Sequence, residues 1–114
     1  MIYGSPGSYG LLVLAGALLC NCIPHLAAGL RGEAFPTPFA SPPGRELSPP
    51  LVNFAWGAAN LFFGISLLPR LDSVDPQLGR LALLAGFVGL GLYLAWHFGR
   101  VRADNTPPRR NPWQ

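Results

Sequence analysis

The stretch Leu81–Gly99 reads LALLAGFVGLGLYLAWHFG and contains no Asp, Glu, Lys or Arg among its 19 residues. A helix that spans a membrane needs about 20 mostly apolar residues. Two more runs lack charge, 30 residues from Met1 to Leu30 and 23 residues from Leu47 to Pro69. A soluble amphipathic helix would have a charged face, and none of these runs has one. We therefore predict three transmembrane helices, at about residues 9–30, 50–68 and 81–99.

The composition of the whole chain supports this class. Only 11% of the 114 residues are charged, against about 25% in soluble domains, so a solvated surface is excluded. Half of the residues are apolar, which excludes disorder. We predict an all-α membrane protein with one domain over residues 1–100 and a basic, Pro-rich tail over 101–114. The first helix should be retained, because no basic residue precedes it as in a signal peptide.

Helix boundaries can also be predicted. Ser48 followed by two prolines is typical of a helix N-cap with Pro in the first turn. Asp75-Pro76 repeats this pattern ahead of the third run, so that helix should begin before its uncharged segment. Gly99 is the predicted end of the third helix.

The arginines predict an orientation. Six of the eight lie on the first loop and the C-terminal tail, which three spans place on one side of the membrane. The positive-inside rule then puts the N-terminus outside and the tail in the cytoplasm, as in a bacterial inner membrane. The expected partners are the lipid bilayer and other transmembrane helices. Nucleic acid is not expected, because the basic tail forms no recognisable binding module.

The first loop, residues 31–49, contains five prolines, which favour a stiff extended chain and exclude a helix. One interpretation is a connector that lies on the membrane, with Phe35 and Phe39 in the headgroup region. The alternative is a re-entrant cap over a site on the cytoplasmic side.

Small and polar residues form stripes at helical spacing. They are Ala17, Asn21 and His25 on the first helix; Asn53, Gly57, Asn60 and Gly64 on the second; and Ala82, Gly86, Gly89, Tyr93 and His97 on the third. Small residues let helix backbones approach, and polar residues on the same face can bond across the contact. We expect the stripes to face one another, with Gly57, Gly64, Gly86 and Gly89 at the contacts.

The polar members of these stripes gather in the half nearest the cytoplasm. They are Asn21, His25, Asn53, Asn60, Tyr93 and His97. In one interpretation they only join the helices. In the other they form a pocket, because ionisable residues inside a membrane are candidate sites, and Pro24 should bend the first helix beside them.

The chain has no catalytic motif among those with a known mechanism, so we expect no enzyme. Cys20 and Cys22 are two residues apart and should point to opposite sides of a helix, so no metal site is expected.

The main hypothesis is an accessory subunit or small homo-oligomer that acts through helix–helix interaction. One alternative is a haem- or quinone-binding protein that uses His25 and His97. Another is an oligomeric pathway for ions or small solutes, which the apolar outer half disfavours.

Overall fold

The structure is a computed structural model that describes residues 6–105. Three of its helices are long and apolar enough to cross a membrane, which confirms the prediction of three long apolar helices. The elements in chain order are α1 (Pro6–Leu30), β1 (Phe35–Pro36), β2 (Leu47–Ser48), α2 (Pro50–Leu67), a 3₁₀ helix (Leu68–Ser73) and α3 (Pro76–Asn105).

Helix α1 is the centre of the bundle. It packs against α2 on one side and against α3 on another, whereas α2 and α3 are not packed extensively against each other. Accordingly α1 is the most buried of the three helices and α3 the least. Residues of α1 therefore form the middle of the helix packing.

The contact between α1 and α2 uses one face of α2. The buried residues of that helix are Asn53, Gly57, Asn60 and Gly64. A Cβ atom on Gly57 would lie 2.8 Å from both Cγ and N of Leu26, and one on Gly64 would lie 2.9 Å from Cδ2 of Leu19. The two glycines thus make room for leucine side chains of α1. This face is the stripe that the sequence indicates for the second helix.

The contact between α1 and α3 is closer. A Cβ atom on Gly16 would overlap the carbonyl oxygen of Leu83, and one on Gly86 would overlap the carbonyl oxygen of Val13. The two backbones therefore touch directly at both glycines. Only the absence of a side chain makes this approach possible.

The prediction that Gly89 lies in a helix contact is wrong for this bundle. Gly89 is exposed, and a Cβ atom built on it meets nothing within 4 Å. The buried residues of α3 are Gly79, Gly86 and Val101. At about 100° per residue, Gly79 and Val101 are turned to one side of Gly86, and Gly89 to the other. Helix α1 packs on the side away from Gly89.

The sequence contains three helix-end signals, at Asp75, Ser48 and Gly99. The structure agrees with the first and differs from the other two. Leu78 N–H donates to Asp75 Oδ2 at 3.0 Å, which confirms the predicted cap of α3. At α2 the N-cap is Pro49, without a side-chain cap, because the Ser48 hydroxyl bonds elsewhere. Helix α3 also continues beyond Gly99 to Asn105, since one glycine costs only about 1 kcal/mol inside a helix. The remainder of the predicted tail lies outside the described residues.

Candidate functional site

The first loop folds back over one end of the bundle. Strands β1 and β2 pair antiparallel, with Phe35 opposite Ser48. Next to this ladder Thr37 is 1% exposed. Its hydroxyl hydrogen-bonds the Ser48 hydroxyl, and its carbonyl oxygen accepts from Gly44 N–H at 3.0 Å. The loop is therefore a folded cap and not a flat connector.

Asn53, which is fully buried, joins this cap to α1 and α2. Its Nδ2 donates to the carbonyl oxygens of Phe35, Ser48 and Pro49 at 2.9, 3.1 and 3.2 Å. Carbonyl oxygens only accept, so these bonds fix the orientation of the amide. Asn53 Oδ1 then faces His25 Nδ1 at 2.8 Å, and Nδ1 must be the donor.

His25 lies beneath the cap and is 2% exposed. The rings of Phe35, Trp56 and Phe98 surround it, with centroids at 5.5, 6.5 and 6.5 Å and planes at 80°, 69° and 85° to the imidazole. Its Nε2 forms no hydrogen bond with any described residue, yet it is not completely enclosed. Asn53 thus fixes Nδ1 of His25, and Nε2 remains accessible and without a hydrogen-bond partner among the described residues.

A second amide pair lies one turn deeper. Asn21 Nδ2 donates to Asn60 Oδ1 at 3.0 Å, and Asn60 Nδ2 donates to the carbonyl oxygen of Trp56 at 2.8 Å. The Trp56 carbonyl fixes the orientation of Asn60 and, through it, that of Asn21. Asn21 Oδ1 is left without a partner among the described residues.

His97 ties α3 to the cap. Its Nε2 donates to the carbonyl oxygen of Gly44 at 2.8 Å. Gly44 has a φ of +74°, a conformation that favours glycine. Tyr93 stacks on His97, with ring centroids 5.7 Å apart and planes at 10°, while 52% of its surface remains exposed.

A cavity of about 170 Å³ opens between these groups. Four of the six predicted polar residues line it, namely Asn21, His25, Tyr93 and His97. The other two, Asn53 and Asn60, lie behind it and hold His25 and Asn21. The fold therefore brings all six residues to one end of the bundle.

Several residues of this site were missed from the sequence. Trp56 and Phe98 form walls of the cavity and Thr37 anchors the cap. Trp56 could have been found, because it lies between Asn53 and Asn60 at spacings of three and four residues, on nearly the same face. Its Nε1 is buried without a hydrogen-bond partner among the described residues. Thr37 and Phe98 carry no signal that separates them from ordinary loop and core residues.

The two loop phenylalanines also differ from the expectation of headgroup contact. The Phe35 ring packs on Phe98 at 4.6 Å and on His25, because pairing of β1 with β2 turns this residue inward. Phe39 is 66% exposed, and its ring stands perpendicular to Trp56 at 5.1 Å.

A second, larger depression of about 530 Å³ lies between the cap and the end of α3. Its rim includes Arg31, Glu33 and Arg102. Arg31 donates to both carboxylate oxygens of Glu33 at 3.1 and 3.0 Å. These bonds and the positive charge of Arg31 lower the pKa of the Glu33 carboxyl group. Both side chains are mostly exposed, so their pairing contributes little to stability.

The cavity is too small for a haem between His25 and His97, and Nε2 of His97 is not available as a ligand. His97 Nε2 carries a proton, because the Gly44 carbonyl that it contacts can only accept. That nitrogen cannot offer a lone pair to iron. The cavity of about 170 Å³ is also below the roughly 300–1,000 Å³ of pockets for drug-sized ligands. Among residues 6–105, no three His, Cys, Asp or Glu side chains form a metal-binding group.

Fold and site together define a class of protein. It has three packed helices that are long and apolar enough to cross a membrane, and a small cavity at one end that polar, apolar and aromatic side chains line and a folded loop covers. No protein-family model, curated protein or solved structure matches the chain. Function therefore has to be inferred from the geometry of this cavity.

Proposed function

We propose that the chain is a multi-pass protein of the bacterial inner membrane that binds a small molecule in the cavity beside His25, with no catalytic role. The observation that carries this proposal is the asymmetry of the His25 ring. Asn53 holds Nδ1, whereas Nε2 is left open at the cavity. This leaves Nε2 available to a bound molecule. An ionisable side chain between membrane helices also costs free energy, so its presence there indicates a functional site.

The cavity can be closed by one side chain. Leu94 lines it, so Leu94→Phe adds a ring to the space that a ligand needs. Leu92 is on the same helix and 70% exposed, so Leu92→Phe is a matched control. Native mass spectrometry in mild detergent should detect a retained small molecule in the parent chain and in Leu92→Phe, but not in Leu94→Phe. His25→Leu should also lose it while keeping the same oligomer size.

The proposal is contradicted if the parent chain carries no small molecule under these conditions. It is equally contradicted if Leu94→Phe and His25→Leu retain the molecule as well as the parent does. The second outcome would place binding on another surface.

The orientation belongs to this proposal. The cap and the end of α3 lie at the same end of the bundle, where Arg45 pairs with Asp104 at 2.8 Å. Six of the eight arginines belong to the first loop or follow the uncharged segment of the third helix in the sequence, which supports a cytoplasmic location for this end. They are Arg31, Arg45, Arg100, Arg102, Arg109 and Arg110. Arg70 lies in the 3₁₀ helix between α2 and α3, and Arg80 lies near the start of α3. A reporter that works only in the cytoplasm should be active after Gln114 and silent near Ser73. The opposite pattern would reverse the orientation.

A second candidate function is helix–helix association, as an accessory subunit or a small homo-oligomer. The observation that favours it is on the outer face of α3, where Ala85 and Gly89 are both exposed and four residues apart. Small residues at this spacing allow another helix to approach. Gly89→Leu should then change the oligomer mass, whereas Gly10→Leu, at an equally open position on α1, should not. An unchanged mass for Gly89→Leu would exclude this interface.

An ion or solute pathway is not proposed. It would need polar side chains through the whole depth of the bundle. Of the buried polar residues in the described part of the chain, Ser8 alone lies at the end opposite the cavity.

A further inference from the structure

Three of the polar atoms that the cavity leaves free are hydrogen-bond acceptors. The lining also contains two groups that can donate, the Tyr93 hydroxyl and the Nε1–H of Trp56, which is without a partner among the described residues. The Asn60 contact uses Asn21 Nδ2, so the free atom of that amide is Oδ1. The Asn53 contact puts the proton of neutral His25 on Nδ1, so Nε2 has a lone pair. In the same way, the Gly44 contact leaves Nδ1 of neutral His97 as an acceptor. A molecule that satisfies these atoms must itself donate hydrogen bonds.

The charge around the cavity favours a neutral molecule. None of the described residues that line it is Asp or Glu. Asp104 at the cap end of α3 is already paired with Arg45, and the chain carries a net charge of +3. A cation would leave water without a counter-charge, which is expensive in an apolar interior. The donors therefore belong to a neutral group such as a hydroxyl and not to an ammonium group.

The size and walls of the cavity favour one ring. Trp56, Tyr93, Leu94 and Phe98 supply apolar and aromatic walls. An engineered protein cavity of about 150 Å³ takes up benzene, and this one measures about 170 Å³. Aromatic side chains also stack favourably with aromatic rings.

The cavity is reached from the side of the bundle. Its lining comes from α1, α2, α3 and the cap, yet α2 and α3 are not packed extensively against each other. Asn21 on α1 is therefore at the floor of a cleft between the two outer helices. In a membrane that cleft opens toward lipid, which suits a ligand that carries an apolar tail.

From these four observations we infer that the cavity binds the head of a lipid-soluble phenol or hydroquinone, whose hydroxyl groups donate to Asn21 Oδ1 and His25 Nε2. This inference rests on the proposed ligand-binding function and adds the chemical class of the ligand. It also gives the site a preference for the reduced ring, because hydroxyl groups can donate to these acceptors and still accept from Tyr93 or Trp56, whereas the carbonyl groups of a quinone only accept.

The test compares three probes on the full chain in mild detergent by titration calorimetry without oxygen. They are a 1,4-hydroquinone with a short alkyl tail, the matching quinone, and the dimethyl ether of the hydroquinone. The hydroquinone should bind once per chain and about tenfold more tightly than either other probe, as two hydrogen bonds predict. In Asn21→Leu this preference should fall to about threefold or less. Leu92→Phe should bind like the parent, and Leu94→Phe should bind none of the probes.

Equal binding of the hydroquinone and its ether by the parent chain would overturn the inference without any variant that might fail to fold. If no probe binds but native mass spectrometry finds another molecule that Leu94→Phe loses, the ring class is wrong and the ligand-binding function stands. If no probe binds and no molecule is retained, both proposals are wrong.

Discussion

The two contacts that α1 makes are built on different principles. Toward α2, side-chain amides bond across the contact at Asn21–Asn60 and His25–Asn53. Close approaches of the backbone at Gly29 and Gly57 accompany these bonds. Toward α3, the backbones touch at Gly16 and Gly86. Amide pairs have directional partners and therefore hold one register. Close backbone packing depends on shape and has no flexible atom that could yield.

This difference explains where the candidate site lies. The amide contact continues into the cap through Asn53, so the polar network positions His25 as well as joining two helices. The backbone contact contributes rigidity, since it keeps α3 against α1 and thereby holds Phe98 beside His25. The following predictions test the two contacts, mostly with matched substitutions.

The largest effect is expected at the backbone contact. Gly86→Ala adds a methyl group that would overlap the Val13 carbonyl oxygen, so α1 and α3 must separate. We expect a loss of about 3 kcal/mol in the free energy of unfolding, measured by denaturation in mixed micelles. Gly89→Ala adds the same group into open space and should cost nothing. Equal losses for both variants would show that the assigned face of α3 is wrong.

The next effect is expected at the junction of the polar contact and the cap. Asn53→Leu removes the side-chain partner of His25 Nδ1 and of the Phe35 and Ser48 carbonyl oxygens, whereas the Pro49 carbonyl oxygen keeps the backbone N–H of residue 53. We expect a loss of about 2 kcal/mol and faster trypsin cleavage after Arg45, because the cap is released. Asn60→Leu should not change the cleavage rate. If Asn53→Leu leaves that rate unchanged as well, Asn53 does not hold the cap.

A smaller effect is expected where a glycine of α2 faces a side chain. In Gly64→Ala the added methyl group meets the end of Leu19, which can move to another rotamer. Alanine also favours the helix by about 1 kcal/mol, so the net loss should be below about 1 kcal/mol. A loss as large as that of Gly86→Ala would show that the α2 contact is as rigid as the α3 contact.

The smallest effect on stability is expected for Asn21→Leu. It removes one hydrogen bond to Asn60, and such bonds between membrane helices are worth about 0.6 kcal/mol on average. The same variant should weaken hydroquinone binding, since Asn21 lines the cavity. A large loss of stability with unchanged binding would mean that Asn21 serves packing alone.

Much of the helical framework follows from the sequence alone. The uncharged runs predict three long apolar helices, and the spacing of Asn53, Gly57, Asn60 and Gly64 indicates the inward face of α2. The Asp75 cap is also predictable. These features are local. They depend on the length of an uncharged run, on the helical period, and on a side chain that caps the backbone close to it.

The tertiary structure decided the features that join distant parts of the chain. Small residues lie on both sides of Gly86, and only the packing of α1 shows which side is buried and leaves Gly89 exposed. Helix α3 passes its predicted end at Gly99 because neither the glycine nor the following residues stop it. His97 meets Gly44 from 53 positions away along the chain, and His25 meets Asn53 from 28. Such pairs depend on how the loop folds back over the bundle, and neither helical periodicity nor charge encodes that path.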